Sequence, residues 1–133
     1  MKIGIVVSQT YWEDITKPML DLAEKTAHKH EFETEVIKVP GSFDIPLFVK
    51  KFLQQEDIAG VVTLGVVVEG KTDHDGVISY TVGKSLIELS LEFNKPVVLG
   101  INGPKMTRQQ GIERINRAEK VTQACIEMVN QLK

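Results

Sequence analysis

Three short runs of the chain are apolar almost throughout and rich in β-branched residues: Lys2–Ser8, Val61–Val68 and Pro96–Ile101. Such runs read as strands buried on both faces, as in parallel sheets. A fourth run, Glu33–Val39, alternates enough to read as a half-exposed strand. Between the runs, apolar residues recur at helical spacing. Ile15, Met19, Leu22, Ala23 and Ala27 fall on one face of a first helix that reaches about His30, with Pro18 tolerated in its first turn. Pro40-Gly41-Ser42 forces a turn, and Phe43, Leu47, Phe48 and Phe52 then mark a second helix ending at Leu53. Gln54–Ala59 reads as a polar connector. A third helix is predicted from about Val77 to Phe93, with a stripe of Ile78, Val82, Leu86, Leu89 and Phe93. Thr107, followed by Gln110 as in a capping box, starts a last helix that carries Ile112, Ile115, Val121, Cys125, Met128, Val129 and Leu132.

Strands and helices thus alternate, which implies right-handed crossovers and a parallel sheet. The predicted fold is α/β: a flavodoxin-like three-layer αβα sandwich with a four-stranded parallel sheet of order 2-1-3-4, formed by residues 1–133 as one domain. The order of strands reverses between the first and third, and ligands in such sheets bind at that switch point, beyond the C-terminal ends of the strands. Tyr80, Ile87 and Leu91 give the third helix a second apolar side, to be covered by a neighbouring helix or another subunit.

Composition narrows the setting. The 133 residues suffice for a real core, and hydrophobic and charged contents of 42% and 26% are ordinary for a globular protein. A net charge of -2 with scattered basic residues gives no sign of nucleic acid or an anionic membrane as partner. No apolar stretch approaches the roughly 20 residues of a membrane span. The chain enters its first strand with no charged-then-apolar leader, so the expected location is cytoplasmic. Cys125, the only cysteine, reads as a small core residue, with no histidine near it in sequence to make it a nucleophile.

The candidate chemistry lies in Gly60–Ile78, where the third strand passes through Glu69–Gly76, a polar loop, into a helix N-terminus. Gly70-Lys71-Thr72 offers backbone N–H groups, an ammonium and a hydroxyl to an anion. His74, at the mouth of the helix, is a candidate proton acceptor; it can equally do no more than cap the helix or hydrogen-bond Asp75. Tyr11 and Trp12 follow the first strand, and either can stack on a planar ring at the switch point. There is no GxGxxG or GxxxxGK[ST] motif. Asp73, His74 and Asp75 are consecutive, which makes no metal-ligand set by itself, so no metal is expected. His28 and His30, beside Lys29, suit the C-terminal end of the first helix.

Four segments then fall in one order: VPGSFDIP at Val39–Pro46, GVVVEGKTDHD at Gly65–Asp75, KPVVLGING at Lys95–Gly103 and QGIER at Gln110–Arg114. The series resembles the lumazine synthases, transferases that catalyse the penultimate step of riboflavin biosynthesis, over nearly the whole chain. Its most specific part is the G-x-T-x-H segment followed by Asp. The resemblance implies a cofactor-free condensation of two small molecules, 5-amino-6-(ribitylamino)uracil and 3,4-dihydroxy-2-butanone 4-phosphate, into 6,7-dimethyl-8-ribityllumazine. The protein's part would be positioning, proton transfer and neutralisation of phosphate.

By matching position, the resemblance makes His74 the proton-transferring residue. Lys71 and Thr72 take phosphate-binding positions, and Arg114 matches the phosphate-binding arginine, a task suited to a guanidinium. Ser42, Phe43 and Asp44 match the segment that binds the ribityl chain and pyrimidine, with Asp44 where Glu is commoner. Val66, Val67 and Val68 line the pyrimidine. Lys120 matches an active-site lysine, at a spacing from Arg114 shorter than in many relatives. The first loop carries two aromatics where the family usually has one; anchoring on Asp14-Ile15-Thr16 selects Tyr11 for the ring, with Trp12 as the alternative. Leu99 stands where many members have a Phe supplied by the neighbouring subunit.

The resemblance further implies a homo-oligomer, a pentamer with its active sites between subunits; in the family, pentamers stop there, pair, or close into an icosahedral shell. Competing expectations are an archaeal-type riboflavin synthase, a ligand- or flavin-binding module of the same fold, and a shell protein without activity. The G-x-T-x-H segment separates the chain from the first. His74 with Arg114 argues against the second, since binding a neutral ring needs neither a proton shuttle nor a phosphate clamp, and the presence of Lys71-Thr72, His74 and Arg114 together argues against the third.

Overall fold

The apolar runs form the centre and one edge of a single parallel sheet in the computed structural model, which describes residues 1–133. Strands β1 (Lys2–Ser8), β2 (Glu33–Val39), β3 (Ile58–Val66) and β4 (Val97–Asn102) lie in the order β2-β1-β3-β4, as the alternation of elements predicts. β1 runs beside β3 from Ile3 opposite Gly60 to Val7 opposite Leu64, and β3 runs beside β4 to Val66 opposite Asn102. The half-exposed β2 is an edge strand, which accounts for its alternation.

Helices cover both faces. Ile3, Ile5 and Val7 point from β1 towards α1 (Lys17–Lys29) and α5 (Arg117–Gln131), packing with Met19, Ala23, Val121 and Cys125. Val6, Val61 and Ile101 point the other way, towards α2 (Ile45–Leu53) and α3 (His74–Phe93), packing with Val49, Phe52, Val82 and Leu86. Gly4 lets the Phe52 ring lie against β1, because a Cβ there would stand 2.8 Å from the ring.

Several boundaries differ from the sequence expectation. α3 begins at His74, three residues before Val77. β3 starts at Ile58, inside the expected connector, and ends at Val66; Val67 and Val68 leave the ladder, although Val67 N–H still donates to the Asn102 carbonyl at 2.8 Å. Trp12–Thr16 forms one turn of π-helix, and Ser42–Asp44 one turn of 3₁₀-helix ahead of α2. The last helix is two: α4 (Arg108–Glu113) and α5 separate at Arg114–Asn116.

Tyr80, Ile87 and Leu91 on α3 are largely exposed, so no helix of this chain covers the second apolar side. No helix is long and apolar enough to cross a membrane.

Cys125 is fully buried, and desolvation pushes its thiol up to about 12 from an ordinary 9.0. The folded state keeps the thiol neutral while the unfolded chain ionises it. That contribution to stability is therefore complete below about pH 9 and is lost as pH rises towards about 12, at about 1.4 kcal/mol per pH unit. Urea melts across this range should show a Cys125→Ala variant losing stability less steeply than the parent. Equal slopes would remove the thiol as the cause.

Candidate active site

Beyond the C-terminal ends of β1 and β3, at the switch point, is a cavity of about 280 Å³ lined by Thr10, Tyr11, Gly41, Ser42, Phe43, Val66, Val67, Val68 and Ile78. The loop after β1 is pinned from within. Thr10 N–H donates to Ser8 Oγ at 3.1 Å, and Thr16 Oγ1 donates to the Thr10 carbonyl at 3.2 Å. Tyr11 adopts a left-handed conformation, φ 51°, which breaks the direction of the chain and starts the π-turn. The Arg108 guanidinium lies 5.3 Å from the centre of the Tyr11 ring and pairs with Asp14. Trp12 instead packs on the α1/α5 side of the sheet, with the Lys38 ammonium 4.6 Å from its ring centre. Of the two aromatics, Tyr11 lines the cavity.

Gly41, extended at φ -148°, leads into the 3₁₀ turn, and the Asp44 carboxylate accepts its N–H at 3.0 Å. Ser42 is thereby carried beneath β3 and buried, and its hydroxyl has no hydrogen-bond partner within the protein. Gly65 makes the room: a Cβ there would stand 2.6 Å from Ser42 Oγ. Gly65→Ala should therefore destabilise the protein by about 1–3 kcal/mol through overpacking, and adding Ser42→Gly should recover most of it. Denaturant melts of both variants check this, and no recovery would place the clash elsewhere.

The loop after β3 is exposed from Glu69 to Asp73. Val67 and Val68 hand over to Glu69, whose N–H donates to the Met106 carbonyl at 2.8 Å. Thr72 Oγ1 accepts the His74 N–H at 3.4 Å, and His74 opens α3 with its side chain exposed. Ile78, one turn on along the same helix face, lines the cavity, whereas the exposed His74 side chain lines neither this cavity nor the one beside Lys71. The possible bond between His74 and Asp75 does not form. Asp75 is buried, and its carboxylate accepts the N–H of Lys105 at 2.9 Å, where the chain is left-handed at φ 57°. Lys71 and Thr72 line a second, larger cavity of about 630 Å³, together with Gly70, Tyr80 and Lys105.

The remaining candidates lie apart. Arg114, the C-cap residue just after α4, is exposed and lines neither cavity. Leu99 is 47% exposed on the edge strand β4, and Lys120 is exposed on α5. No group of three or more His, Cys, Asp or Glu is arranged to hold a metal ion.

Sequence reasoning did not single out Ile78, Asp75 or Asn102 for the site. Ile78 carried a signal, its spacing of four from His74. The buried Asp75 and Asn102 carried none, because both owe their places to bonds with distant backbone.

The family model described as 6,7-dimethyl-8-ribityllumazine synthase matches residues 1–133. Curated relatives bearing that description match end to end. The Picrophilus torridus protein is 44% identical over 100% of this chain and 98% of its own. The Methanothermobacter thermautotrophicus protein is 43% identical over 100% and 96%. The Methanosarcina mazei protein is 44% identical over 99% and 98%. With this identity along its whole length, and the switch-point cavity and His74 loop in place, the chain belongs to the 6,7-dimethyl-8-ribityllumazine synthase family, transferases of riboflavin biosynthesis.

Proposed function

We propose that this chain condenses 5-amino-6-(ribitylamino)uracil with 3,4-dihydroxy-2-butanone 4-phosphate. The 5-amino group attacks the ketone and water leaves as an imine forms. Phosphate is then eliminated, and the ribityl-bearing nitrogen closes the ring with loss of a second water. His74 moves protons in these steps, with no metal or cofactor. The observation that carries the reading is the switch-point cavity itself. It combines an aromatic ring at Tyr11, a valine wall at Val66–Val68 and an unpartnered, buried Ser42 hydroxyl, beside the helix headed by His74. The ring and valines suit the flat pyrimidine; Ser42, Phe43 and Asp44 suit the ribityl chain. Trp12 has a packing role instead.

Lys71, Thr72 and Arg114 hold the phosphate in this reading. Arg114 and Leu99 are exposed and do not line the cavity of their own chain, and Tyr80, Ile87 and Leu91 are uncovered. All of this fits a homo-oligomer, a pentamer or a multiple of it, in which Arg114, Leu99 and Lys120 complete the site of an adjacent copy. The residues form one synthase domain, acting in the cytoplasm without nucleic acid or membrane.

The test is to mix the protein with both substrates and follow lumazine by absorbance against a protein-free control. Acceleration is expected; none, from folded protein, would overturn the reading. Arg114→Ala should raise the KM for the butanone phosphate roughly tenfold to a hundredfold, the worth of a charged hydrogen bond, and leave the KM for the pyrimidine near its starting value. Unaltered use of the phosphate substrate would remove Arg114 from the clamp.

A further inference from the structure

Asn102 ends β4 and is 1% exposed, yet both atoms of its side-chain amide are engaged by the same stretch of chain. Its Nδ2 donates to the Arg114 carbonyl at 3.2 Å, and its Oδ1 accepts from the Arg117 guanidinium at 2.7 Å. Arg117 N–H donates to that same Arg114 carbonyl at 3.1 Å, which closes a ring of three residues. The ring sits where α4 stops and α5 begins, and Arg114 is the residue at the break. Its carbonyl, released from the helix, is held by Asn102 and Arg117 together. On its backbone side, Asn102 accepts the N–H of Val67, a wall residue of the switch-point cavity. The rigid end of the sheet therefore sets the direction in which the exposed Arg114 side chain leaves the protein.

We propose that Asn102 is a positioning residue for the phosphate clamp, acting through Arg114. This rests on the reading of Arg114 as a phosphate ligand. A bidentate guanidinium–phosphate contact depends on angle, so a clamp mounted at a helix break needs its backbone fixed. A buried amide that spends both its atoms on that break does so. Neither arginine competes with it for the role: Arg114 supplies only its carbonyl to the ring, leaving its guanidinium free for the phosphate.

Asn102→Asp keeps the shape and the acceptor for Arg117 but replaces the donor to the Arg114 carbonyl with a second oxygen. The expected result is a KM for 3,4-dihydroxy-2-butanone 4-phosphate raised roughly tenfold, the effect of one lost hydrogen bond, with the KM for the pyrimidine and kcat little changed. In an Arg114→Ala background the same substitution should add nothing, because the residue it positions is gone. Arg117→Ala, at an exposed site, opens the ring from the other side. It should act in the same direction and also vanish in the Arg114→Ala background, which keeps the test available if Asn102→Asp does not fold. A parental KM in both variants, or effects that simply add to Arg114→Ala, would overturn the proposal while leaving the synthase reading intact. No lumazine from the parent protein, or an Arg114→Ala variant with unaltered KM, would instead overturn the reading beneath it, and the proposal with it.

Discussion

Replacing His74 with alanine should lower the rate of lumazine formation by roughly 10²–10⁴-fold, the usual worth of acid–base assistance. Among the residues assigned to the site, the imidazole is the side chain whose ring nitrogens can both take and return a proton. Imine formation and ring closure each need a proton delivered to a departing oxygen and one removed from an attacking nitrogen. His74→Gln, which keeps bulk and hydrogen bonding but cannot shuttle a proton, should fall as far as His74→Ala. The loss should appear in kcat, with both KM values changed far less. Since the side chain is exposed, the stability of either variant should stay within about 0.5 kcal/mol of the parent. Stopped-flow absorbance gives the rate and a denaturant melt gives the stability. An unchanged kcat in a folded variant would take His74 out of the mechanism.

The largest effect on stability should come from Phe52→Ala. The ring is completely buried between α2 and the sheet, and truncating such a ring costs about 3–5 kcal/mol in transfer and cavity terms together. For a domain holding about 5–15 kcal/mol in total, that approaches unfolding. The partner across the contact is Gly4, and its missing side chain sharpens the prediction. Gly4→Ala alone brings a Cβ to 2.8 Å from the Phe52 ring and should destabilise the protein. In the Phe52→Ala background the same methyl enters empty space and should cost much less. Equilibrium melts of the four proteins give the coupling, and simple additivity of the two substitutions would show that the contact is not what fixes them.

The sheet was the most legible part of the chain, and the reasons are local. Buried parallel strands carry β-branched runs too apolar for the surface, and β1, β3 and β4 have them. The start of α3 was hidden because its first turn is polar: His74 to Gly76 need no apolar stripe, so periodicity shows only from Val77 and Ile78 onward. The break between α4 and α5 was hidden for the opposite reason. Ile112 and Ile115 keep helical spacing across it, while the bond from Asn102 to the Arg114 carbonyl, which marks the break, comes from 12 residues away. Val67 and Val68 read as strand because apolarity reports burial, and both pack inward without joining the ladder. Among the candidate site residues, Tyr11, Ser42, Phe43 and Val66–Val68 share one cavity, whereas Lys71 and Thr72 line another and Arg114, Leu99 and Lys120 line neither. A motif names the residue type that a reaction calls for; it does not say whether one chain or two bring the residues together.

The buried thiol has a use that its inertness creates. Cys125 Sγ rests against Gly60, near the start of β3 and far along the sheet from the cavity, so close that a Cβ on Gly60 would stand 2.8 Å from the sulfur. A thiol reagent can reach it only when α5 lifts from the sheet. The chain thus carries a built-in clock of its own opening, with no label to be engineered and no reacting group to be disturbed. The speed at which the clock runs reads out how often the core breathes, and any molecule that settles into the far end of the sheet should slow it in proportion to its occupancy.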